Sequence, residues 1–301
     1  GLPAGVVNIV SGAGLTGSHI VNHPDVNKIA FTGSTAVGKI IMKAIAGTSK
    51  KSTMELGGKA ANIIFEDAAL DQAVEGIING IFFNQGHVCC AGSRLYVQES
   101  VFDVVVQKLK DRMNSLNVGD PLDKNTDIGA INSKKQLDTI SKYIEIGKQE
   151  GAEMYQPTCD LPAKGFWCRP TIFTKVSQSN RISQEEIFGP VLSVVRAQDY
   201  AEGLALANDH EYGNGVAIYT RDGDAARDFA SKVQVGMVGI NVPIPVPLAY
   251  YTFGGWKRSG FGDLNQHGPD AFRFYTKTKT VTSRWPSGIK DGAEFVIPTM
   301  R

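Results

Sequence analysis

The apolar and polar positions along the chain change repeatedly between the two-residue period of a strand and the longer period of an amphipathic helix. Residues 6–10 and 26–34 have the pattern of strands, and residues 34–47 have that of a helix ending at Gly47. Residues 52–65 then predict extended structure interrupted by a turn. Because strands separated by a helix pair in parallel, this order predicts a βαβ arrangement.

A single apolar stripe predicts a helix that ends just before two adjacent cysteines. Asp67 is a candidate N-cap for this helix, and Gly86 is a natural residue for its end. Cys89 and Cys90 would then follow the helix directly. The stripe consists of Leu70, Val74, Ile77, Ile78 and Ile81.

Strand and helix patterns continue to alternate through the middle of the chain. Residues 93–100 predict a strand, and Ser100 with Asp103 resembles a capping box for a helix through Leu109 and Met113. Because helices separate the strands, we expect an α/β fold of parallel open sheets with flanking helices. The later segments of this alternation are residues 133–151, 170–176, 190–197, 199–209, 215–222, 224–233 and 236–242.

The end of the chain predicts a strand that has no partner of its own. Residues 272–285 alternate polar and β-branched side chains after a stretch rich in proline and glycine. An isolated strand leaves backbone groups unpaired, so we expect this one to pair with another subunit in a homodimer or homotetramer.

The composition is that of a globular protein that acts on a small molecule. The 301 residues are 42% hydrophobic and 20% charged with a formal net charge of +1, which corresponds to about two ordinary domains. No Lys/Arg block suggests a nucleic-acid or membrane partner, and no apolar run approaches a bilayer-spanning length. Four cysteines without a disulfide-framework or metal-knuckle spacing favour the reducing cytoplasm. The absence of an initiator methionine predicts that an upstream part, with any targeting segment, is missing.

Two turns carry side chains suited to chemistry. The backbone N–H groups of Gly33, Ser34 and Thr35 would converge at a helix N-terminus and favour a phosphate. The alternative is that Ser34 only caps the helix and Gly33 only turns the chain. Glu55 lies among apolar residues, where burial would raise its pKa into the range of a general base. Its alternative role is structural, as a carboxylate bonded to turn amides or paired with Lys59.

The two adjacent cysteines are candidate nucleophiles. A free cysteine is most often a small buried hydrophobe, so simple packing is the alternative for each of them. In extended backbone the side chains of Cys89 and Cys90 would point to opposite sides. One thiol would then face a cleft while the other packs inward.

Five motifs, taken in their order, resemble the aldehyde dehydrogenase superfamily: FTGSTAVG, MELGGK, FFNQGHVCCAGSR, EEIFGPV and FGGWKRSGFG. The resemblance implies oxidation of an aldehyde to a carboxylic acid through a thiohemiacetal and a thioester, with hydride transfer to NAD or NADP. It identifies Cys89 as the nucleophile, whose backbone N–H would help to hold the oxyanion, and leaves Cys90 as a packing neighbour. It identifies Glu55 as the general base that activates water.

The resemblance also implies cofactor and substrate contacts, and it implies no metal. Glu186 would bind the nicotinamide ribose, and Phe188 would border the nicotinamide ring. Val88 and Phe253 would line the substrate mouth. The remaining cofactor-binding residues, of which the glycines and the serine surround the pyrophosphate, would be Gly33, Ser34, Thr35, Gly38 and Leu56.

The sequence departs from the family pattern in two respects. His87 stands where the family usually has glutamine, and it would either tune the Cys89 thiolate or hydrogen-bond a local carbonyl.

The family's upstream half of the nucleotide-binding domain, with an asparagine oxyanion donor, has no counterpart here. We therefore expect the end of a dinucleotide-binding domain (1–57), a catalytic domain (58–258) and a return segment with an oligomerisation strand (259–301).

Two other functions stay open. Residues 242–263 and 272–286 resemble the methylmalonate-semialdehyde dehydrogenase branch, which transfers its acyl group to coenzyme A. That branch lacks the glutamate found here as Glu55, so we favour hydrolysis. The second alternative is a non-catalytic structural or interaction protein built from a truncated enzyme.

Overall fold

A computed structural model describes residues 1–285, and these residues form three β-sheets with flanking helices. The helices are α1 (Gly14–Asn22), α2 (Thr35–Ile45), α3 (Leu70–Phe82), α4 (Phe102–Met113), α5 (Lys134–Gln149), α6 (Arg181–Gln184), α7 (Tyr200–Asn208), α8 (Gly223–Lys232) and α9 (Pro269–Tyr275). The strands are β1 (Lys28–Thr32), β2 (Lys51–Glu55), β3 (Ala61–Ile64), β4 (Arg94–Gln98), β5 (Glu153–Tyr155), β6 (Thr171–Thr174), β7 (Val191–Ala197), β8 (Tyr212–Gly213), β9 (Gly215–Tyr219), β10 (Met237–Ile240), β11 (Trp256–Lys257) and β12 (Gly260–Gly262).

The large sheet has seven strands in the order β10-β9-β3-β4-β7-β6-β5. All neighbours are parallel except β5, which pairs antiparallel with β6 at one edge. In β3, which lies between β9 and the central strand β4, Ile63 stands in register with Tyr96 and Ile218. These central strands are buried on both faces, as helices on either side of a parallel sheet require. The predicted α/β class with parallel sheets is confirmed.

The small sheet joins the start of the chain to a segment near its end. Strands β1 and β2 are parallel, and β12 pairs antiparallel with β2. Glu55 is the last residue of β2, where it stands in register with Thr32 on one side and Gly260 on the other. Immediately after it, the N–H of Leu56 donates to the carbonyl of Ser259 at 2.8 Å. This pairing holds Glu55 at the carboxyl edge of the small sheet.

The helix predicted before the two cysteines forms as α3. Ile77 and Ile81 on its stripe are fully buried in a core that also contains Leu95 and Leu109. Burying an aliphatic side chain of this size contributes about 1.5–3 kcal/mol relative to leaving it exposed. The packed stripe therefore fixes where α3 ends and where the following turn begins.

The strand predicted at residues 6–10 is wrong. Residues 6–10 have no ladder partner among residues 1–285, and Val6, Ile9 and Val10 are exposed. A strand needs a neighbour to satisfy its backbone groups, and an apolar pattern alone does not supply one. Regular structure begins instead with α1, whose first residue is Gly14.

Both predicted helix caps in this region are wrong because their side chains bond to distant segments. The carboxylate of Asp67 accepts hydrogen bonds from Thr220 Oγ1 at 2.7 Å and from the N–H of Arg221 at 2.6 Å. Ser100 Oγ donates to a carboxylate of Glu66 at 2.7 Å, and α4 begins after it without a side-chain cap. The local sequence favours both side chains as helix caps, but hydrogen bonds to distant segments compete with capping.

The strand predicted over residues 272–285 is wrong for its first four residues, and its pairing with another subunit stays a prediction for the others. Residues 272–275 form the last part of helix α9, which begins at Pro269, and proline is a favoured first residue of a helix. Residues 276–285 make no strand ladder within the described chain. The rest of the predicted oligomerisation segment, residues 286–301, lies outside the described residues. A homo-oligomer stays a prediction.

Candidate active site

A cleft with a volume of ≈ 360 Å³ opens where the small sheet faces the segment after α3 and the loop before β7. It brings together seven predicted site residues, including both Cys89 and Glu55. Thr35, Gly38, Val88 and Phe253 do not line it. The lining residues are Thr32, Gly33, Ser34, Glu55, Leu56, Gly57, Cys89, Gln136, Thr139, Glu186, Ile187 and Phe188.

A sharp turn after α3 places the two cysteines. Asn84 and Gln85 have left-handed backbone angles, with φ of 49° and 55°, and the turn closes at Gly86 with φ of 75°. Gln85 Oε1 anchors the turn by accepting from the N–H of Gly129 at 3.1 Å. Cys89 and Cys90 lie in a further turn and not in extended backbone. Cys89 lines the cleft, whereas Cys90 is 1% exposed and packs inward.

The environment of Cys89 favours its thiolate. A hydrogen bond with Cys90 lowers the pKa of Cys89, and a second one with Asn214 lowers it further, to about 7. Burial and the carboxylates of Glu186 and Glu55 act in the opposite direction. The same hydrogen bond and burial raise the pKa of Cys90 far above its usual range. Of the two thiols, Cys89 is the one that ionises near neutral pH.

Glu55 faces the same cleft as a buried carboxyl group. It is 7% exposed, and burial raises its pKa to about 7. The alternative structural roles are wrong: Lys59 Nζ makes no hydrogen bond within residues 1–285, and the amide of Gly58 donates to Glu186. Near pH 7 a large fraction of Glu55 is therefore ionised and able to accept a proton.

Glu186 reaches the cleft beneath the Gly57–Gly58 turn. Its Oε1 accepts from the N–H of Gly58 at 3.0 Å, and a Cβ on Gly57 would lie 2.2 Å from its Oε2. Burial raises the pKa of Glu186, while the Gly58 amide and the charge of Lys59 lower it. Glycine is needed at position 57 because a side chain there would fill the space that the Glu186 carboxylate occupies.

Phe188 forms one wall of the cleft, and His87 supports it. The two rings stack with centroids 5.3 Å apart and an interplanar angle of 6°. His87 Nε2 is buried without a hydrogen-bond partner among residues 1–285, so this nitrogen does not make the bond to a local carbonyl that was predicted for the imidazole. Burial lowers the pKa of His87, which keeps the imidazole neutral near pH 7. Gln136 Nε2 fixes the same loop by donating to the carbonyl of Phe188 at 3.0 Å.

The predicted phosphate cradle forms only in part. The N–H of Gly33 donates to the carbonyl of Glu55 at 3.1 Å, so it does not point toward a ligand. Ser34 Oγ accepts from the N–H of Val37 at 3.3 Å, which confirms its alternative role as a helix cap. Thr35 is buried, with its Oγ1 bonded to the carbonyl of Arg258 at 3.2 Å. Gly33 and Ser34 still line the cleft beside the N-terminus of α2.

The side chains present fit the nicotinamide end of a dinucleotide. Leu56, Ile187 and Phe188 provide apolar walls suited to a flat ring. The buried carboxylate of Glu186 can accept hydrogen bonds from ribose hydroxyls. The N-terminus of α2, an 11-residue helix with Ser34 at its cap, favours negative charge at the same cleft.

Asn214 is the functional candidate that sequence analysis missed. Its Nδ2 donates to the carbonyl of Leu56 at 3.2 Å, and its side chain also hydrogen-bonds Cys89. It lies 125 positions after Cys89 in a short joint between two strands. A single asparagine between glycines has the composition of an ordinary turn, so only the tertiary contact identifies it.

Residues 1–285 contain no group of three or more His, Cys, Asp or Glu side chains placed to hold a metal ion. Across the same residues, no helix combines the length and the apolar character needed to cross a membrane.

Replacing Gly58 by alanine is expected to destabilise the chain and to displace Cys89. The new Cβ would lie 2.4 Å from the carbonyl oxygen of Cys89 and 3.0 Å from Asn214 Cβ, so the backbone must move. Overpacking of this kind typically costs about 1–3 kcal/mol of unfolding free energy, measurable by urea denaturation. Gly17→Ala is the matched control, since a Cβ there meets no atom within 4 Å. Equal stabilities of the two variants would contradict the close packing of this turn.

Comparison with known proteins assigns a family to this arrangement. The sequence model described as Aldehyde dehydrogenase family matches residues 1–281. A malonate-semialdehyde dehydrogenase of Pseudomonas aeruginosa is 39% identical over 310 residues, covering 100% of this chain and 62% of that protein.

Solved structures show the same similarity. The crystal structure of methylmalonate-semialdehyde dehydrogenase from Oceanimonas doudoroffii matches with a TM-score of 0.91 and 41% identity, over 96% of this chain and 60% of that one. An NAD+ complex of aldehyde dehydrogenase from Bacillus cereus matches with a TM-score of 0.88 and 41% identity, over 93% and 57%. The chain thus spans about three fifths of the length of these relatives.

Proposed function

This chain belongs to the aldehyde dehydrogenase family, and we propose that it oxidises an aldehyde to a carboxylic acid with NAD, through a covalent bond to Cys89. One observation carries the proposal: a thiol and a carboxyl group, each with a pKa of about 7, face the same cleft. A thiolate nucleophile and a general base work best when their pKa values lie near the working pH.

In the first step, the thiolate of Cys89 attacks the aldehyde carbonyl carbon. A carbon–sulfur bond forms, and the carbonyl oxygen becomes the oxyanion of a thiohemiacetal. The backbone N–H of Cys89 helps to hold this oxyanion. The bound NAD supplies the acceptor for the hydride that leaves the substrate carbon. The acyl group then remains on Cys89 as a thioester.

In the second step, Glu55 removes a proton from water as the water oxygen attacks the thioester carbon. The carbon–sulfur bond breaks, the Cys89 thiolate leaves, and a carboxylic acid is released. Only the ionised form of Glu55 can accept this proton. Its pKa of about 7 therefore predicts a hydrolysis rate that rises with pH through neutrality.

Transfer of the acyl group to coenzyme A is the second candidate. Similarity to proteins named malonate- and methylmalonate-semialdehyde dehydrogenases favours a semialdehyde substrate and makes this alternative worth testing. The presence of Glu55 favours water as the acceptor of the acyl group, because transfer to a thiol does not need a base that activates water.

The remaining expectations are proposals with structural support. The change from the small to the large sheet falls between Glu55 and Ala61, which supports a boundary after residue 57. The segment that begins at residue 259 returns to the small sheet through β12 (Gly260–Gly262). Val88 packs against the core beside α3, and Phe253 packs on His267 at 4.5 Å between ring centroids. For these two side chains, substrate contact stays a prediction.

A direct assay tests the function. The 301-residue chain is mixed with NAD or NADP and a panel of aldehydes that includes malonate semialdehyde, and NADH or NADPH is followed by absorbance. Product analysis with and without coenzyme A distinguishes a carboxylic acid from an acyl thioester. No reduced cofactor with any aldehyde would favour the non-catalytic alternative, particularly if the chain forms a stable oligomer that binds no dinucleotide.

Replacing Glu186 by glutamine is expected to weaken NAD binding about 10-fold, because hydrogen bonds to a charged group contribute about 1.5–3 kcal/mol. Isothermal titration calorimetry with NAD measures the change. Glu185→Gln is the matched control, since the carboxylate of Glu185 bonds to Arg181 at 2.8 Å and to Tyr143. An equal loss of affinity in both variants would contradict a ribose contact for Glu186.

A further inference from the structure

Asn214 lies where the cleft meets the joint between two sheets. It connects β8, which pairs with β11, to β9 of the large sheet. The residue is 5% exposed, so its side-chain amide needs partners inside the protein. Both of its known partners belong to the cleft.

The amide of Asn214 contacts two segments that carry the proposed chemistry. Its Nδ2 donates to the carbonyl of Leu56, the residue after Glu55, at 3.2 Å. Its side chain also hydrogen-bonds the side chain of Cys89. An asparagine amide has two N–H groups, so both contacts can be made at once.

Close packing leaves this amide little freedom. A Cβ placed on Gly58 would lie 3.0 Å from Asn214 Cβ and 2.4 Å from the carbonyl oxygen of Cys89. The turn at Gly58, the side chain of Asn214 and the turn that carries Cys89 are therefore closely packed against one another. A side chain held in this way donates its hydrogen bonds without the entropy cost of ordering.

We propose that Asn214 is a catalytic amide donor to Cys89: its Nδ2–H stabilises negative charge on the sulfur and, through Leu56, holds the end of β2 that carries Glu55. The proposal rests on the proposed function of Cys89. A neutral amide suits this position because it donates at every pH and adds no charge to a cleft that already contains two carboxylates.

Other groups also act on the sulfur, so the amide has to be tested against them. The Cys90 thiol donates to Cys89, while Glu186 and Glu55 oppose its ionisation. His87 lies on the same turn with a neutral ring, and Lys59 lies behind the glycine turn near Glu186. These groups remain in place when Asn214 alone is changed.

The test measures the rate of Cys89 alkylation by iodoacetamide as a function of pH, on the full chain without aldehyde or NAD. Mass spectrometry locates the label, and Cys89→Ala provides the background. Asn214→Asp removes the donor and adds a like charge, and Asn214→Ala removes the donor alone. Asn241→Asp is the matched control, because Asn241 Nδ2 also donates to a backbone carbonyl, that of Thr220 at 3.0 Å, but lies outside the cleft lining.

We expect a wild-type midpoint near the Cys89 pKa of about 7 and an upward shift of about one pH unit in both Asn214 variants. The Asn241 variant should keep the wild-type midpoint. Unchanged midpoints in the Asn214 variants beside a low wild-type midpoint would overturn the role of Asn214 alone. A wild-type midpoint in the ordinary thiol range would overturn the activated nucleophile as well. Where the aspartate variant does not fold, the alanine variant gives the result.

Discussion

Replacing Cys89 by alanine is expected to abolish NADH formation from any aldehyde that the wild-type chain oxidises, by more than about 10³-fold. Without the sulfur no thiohemiacetal can form, and a hydride does not leave an unactivated aldehyde carbon. A single-turnover assay with excess NAD measures the effect as the amount of NADH formed per chain.

Two other cysteine variants make this experiment specific. Cys90→Ala should retain NADH formation but raise the pKa of Cys89, because the hydrogen bond that lowers it is lost. Cys159→Ala should leave the reaction unchanged, since Cys159 does not line the cleft. Loss of NADH in the Cys90 variant with retention in the Cys89 variant would reverse the assignment of the nucleophile.

Replacing Glu55 by glutamine is expected to separate the two steps. The first turnover should still produce NADH, because Cys89 and the cofactor are unaffected by a neutral isostere. Steady-state turnover should fall by about 10²–10⁴-fold, the usual contribution of general-base catalysis. The acyl-enzyme should accumulate and be detectable as an added mass on Cys89. The rise of the wild-type rate through pH 7 should disappear, because it reports ionisation of Glu55.

The same variant distinguishes water from coenzyme A as the acceptor. If coenzyme A restores steady-state turnover of Glu55→Gln to the wild-type rate, the acyl-transfer alternative gains support. Glu66→Gln is a suitable control, because Glu66 is exposed and its carboxylate bonds to Ser100 away from the cleft. An unchanged hydrolysis rate in the Glu55 variant would exclude this residue as the base.

Local sequence was sufficient for most of the secondary structure. The apolar stripe of α3, the helix α2 with its stop before Gly47, and the buried strands of the large sheet all formed as predicted. These elements follow from the apolar pattern, since a helix must turn one apolar face to the core, and the inner strands of a parallel sheet, buried on both faces, are apolar on both. The motifs were also sufficient to identify Cys89 and Glu55 as candidates, because both stand in ordered patterns that resemble one family.

Tertiary structure decided what depends on a partner far along the chain. Asp67 and Ser100 do not cap their helices because distant groups bond to their side chains. Residues 6–10 do not form a strand because no segment of the described part of the chain pairs with them. For the same reason the N–H of Gly33 is not available to bind a phosphate, because it donates to the carbonyl of Glu55. A polar side chain or an unpaired backbone group takes whichever partner folding brings close, and spacing along the chain does not reveal that partner.

The chemistry of the cleft also depends partly on the sequence alone and partly on the tertiary structure. Short motifs identify the proposed nucleophile and the proposed base, whereas the pKa values of Cys89 and Glu55 depend on burial and on side chains from other segments. Asn214 reaches Cys89 only because β9 lies beside β3 in the large sheet and the glycine turn approaches within contact distance. Reactive residue types are a property of the sequence, but their ionisation requires the packed fold, because electrostatic interactions depend on distance and on exclusion of water.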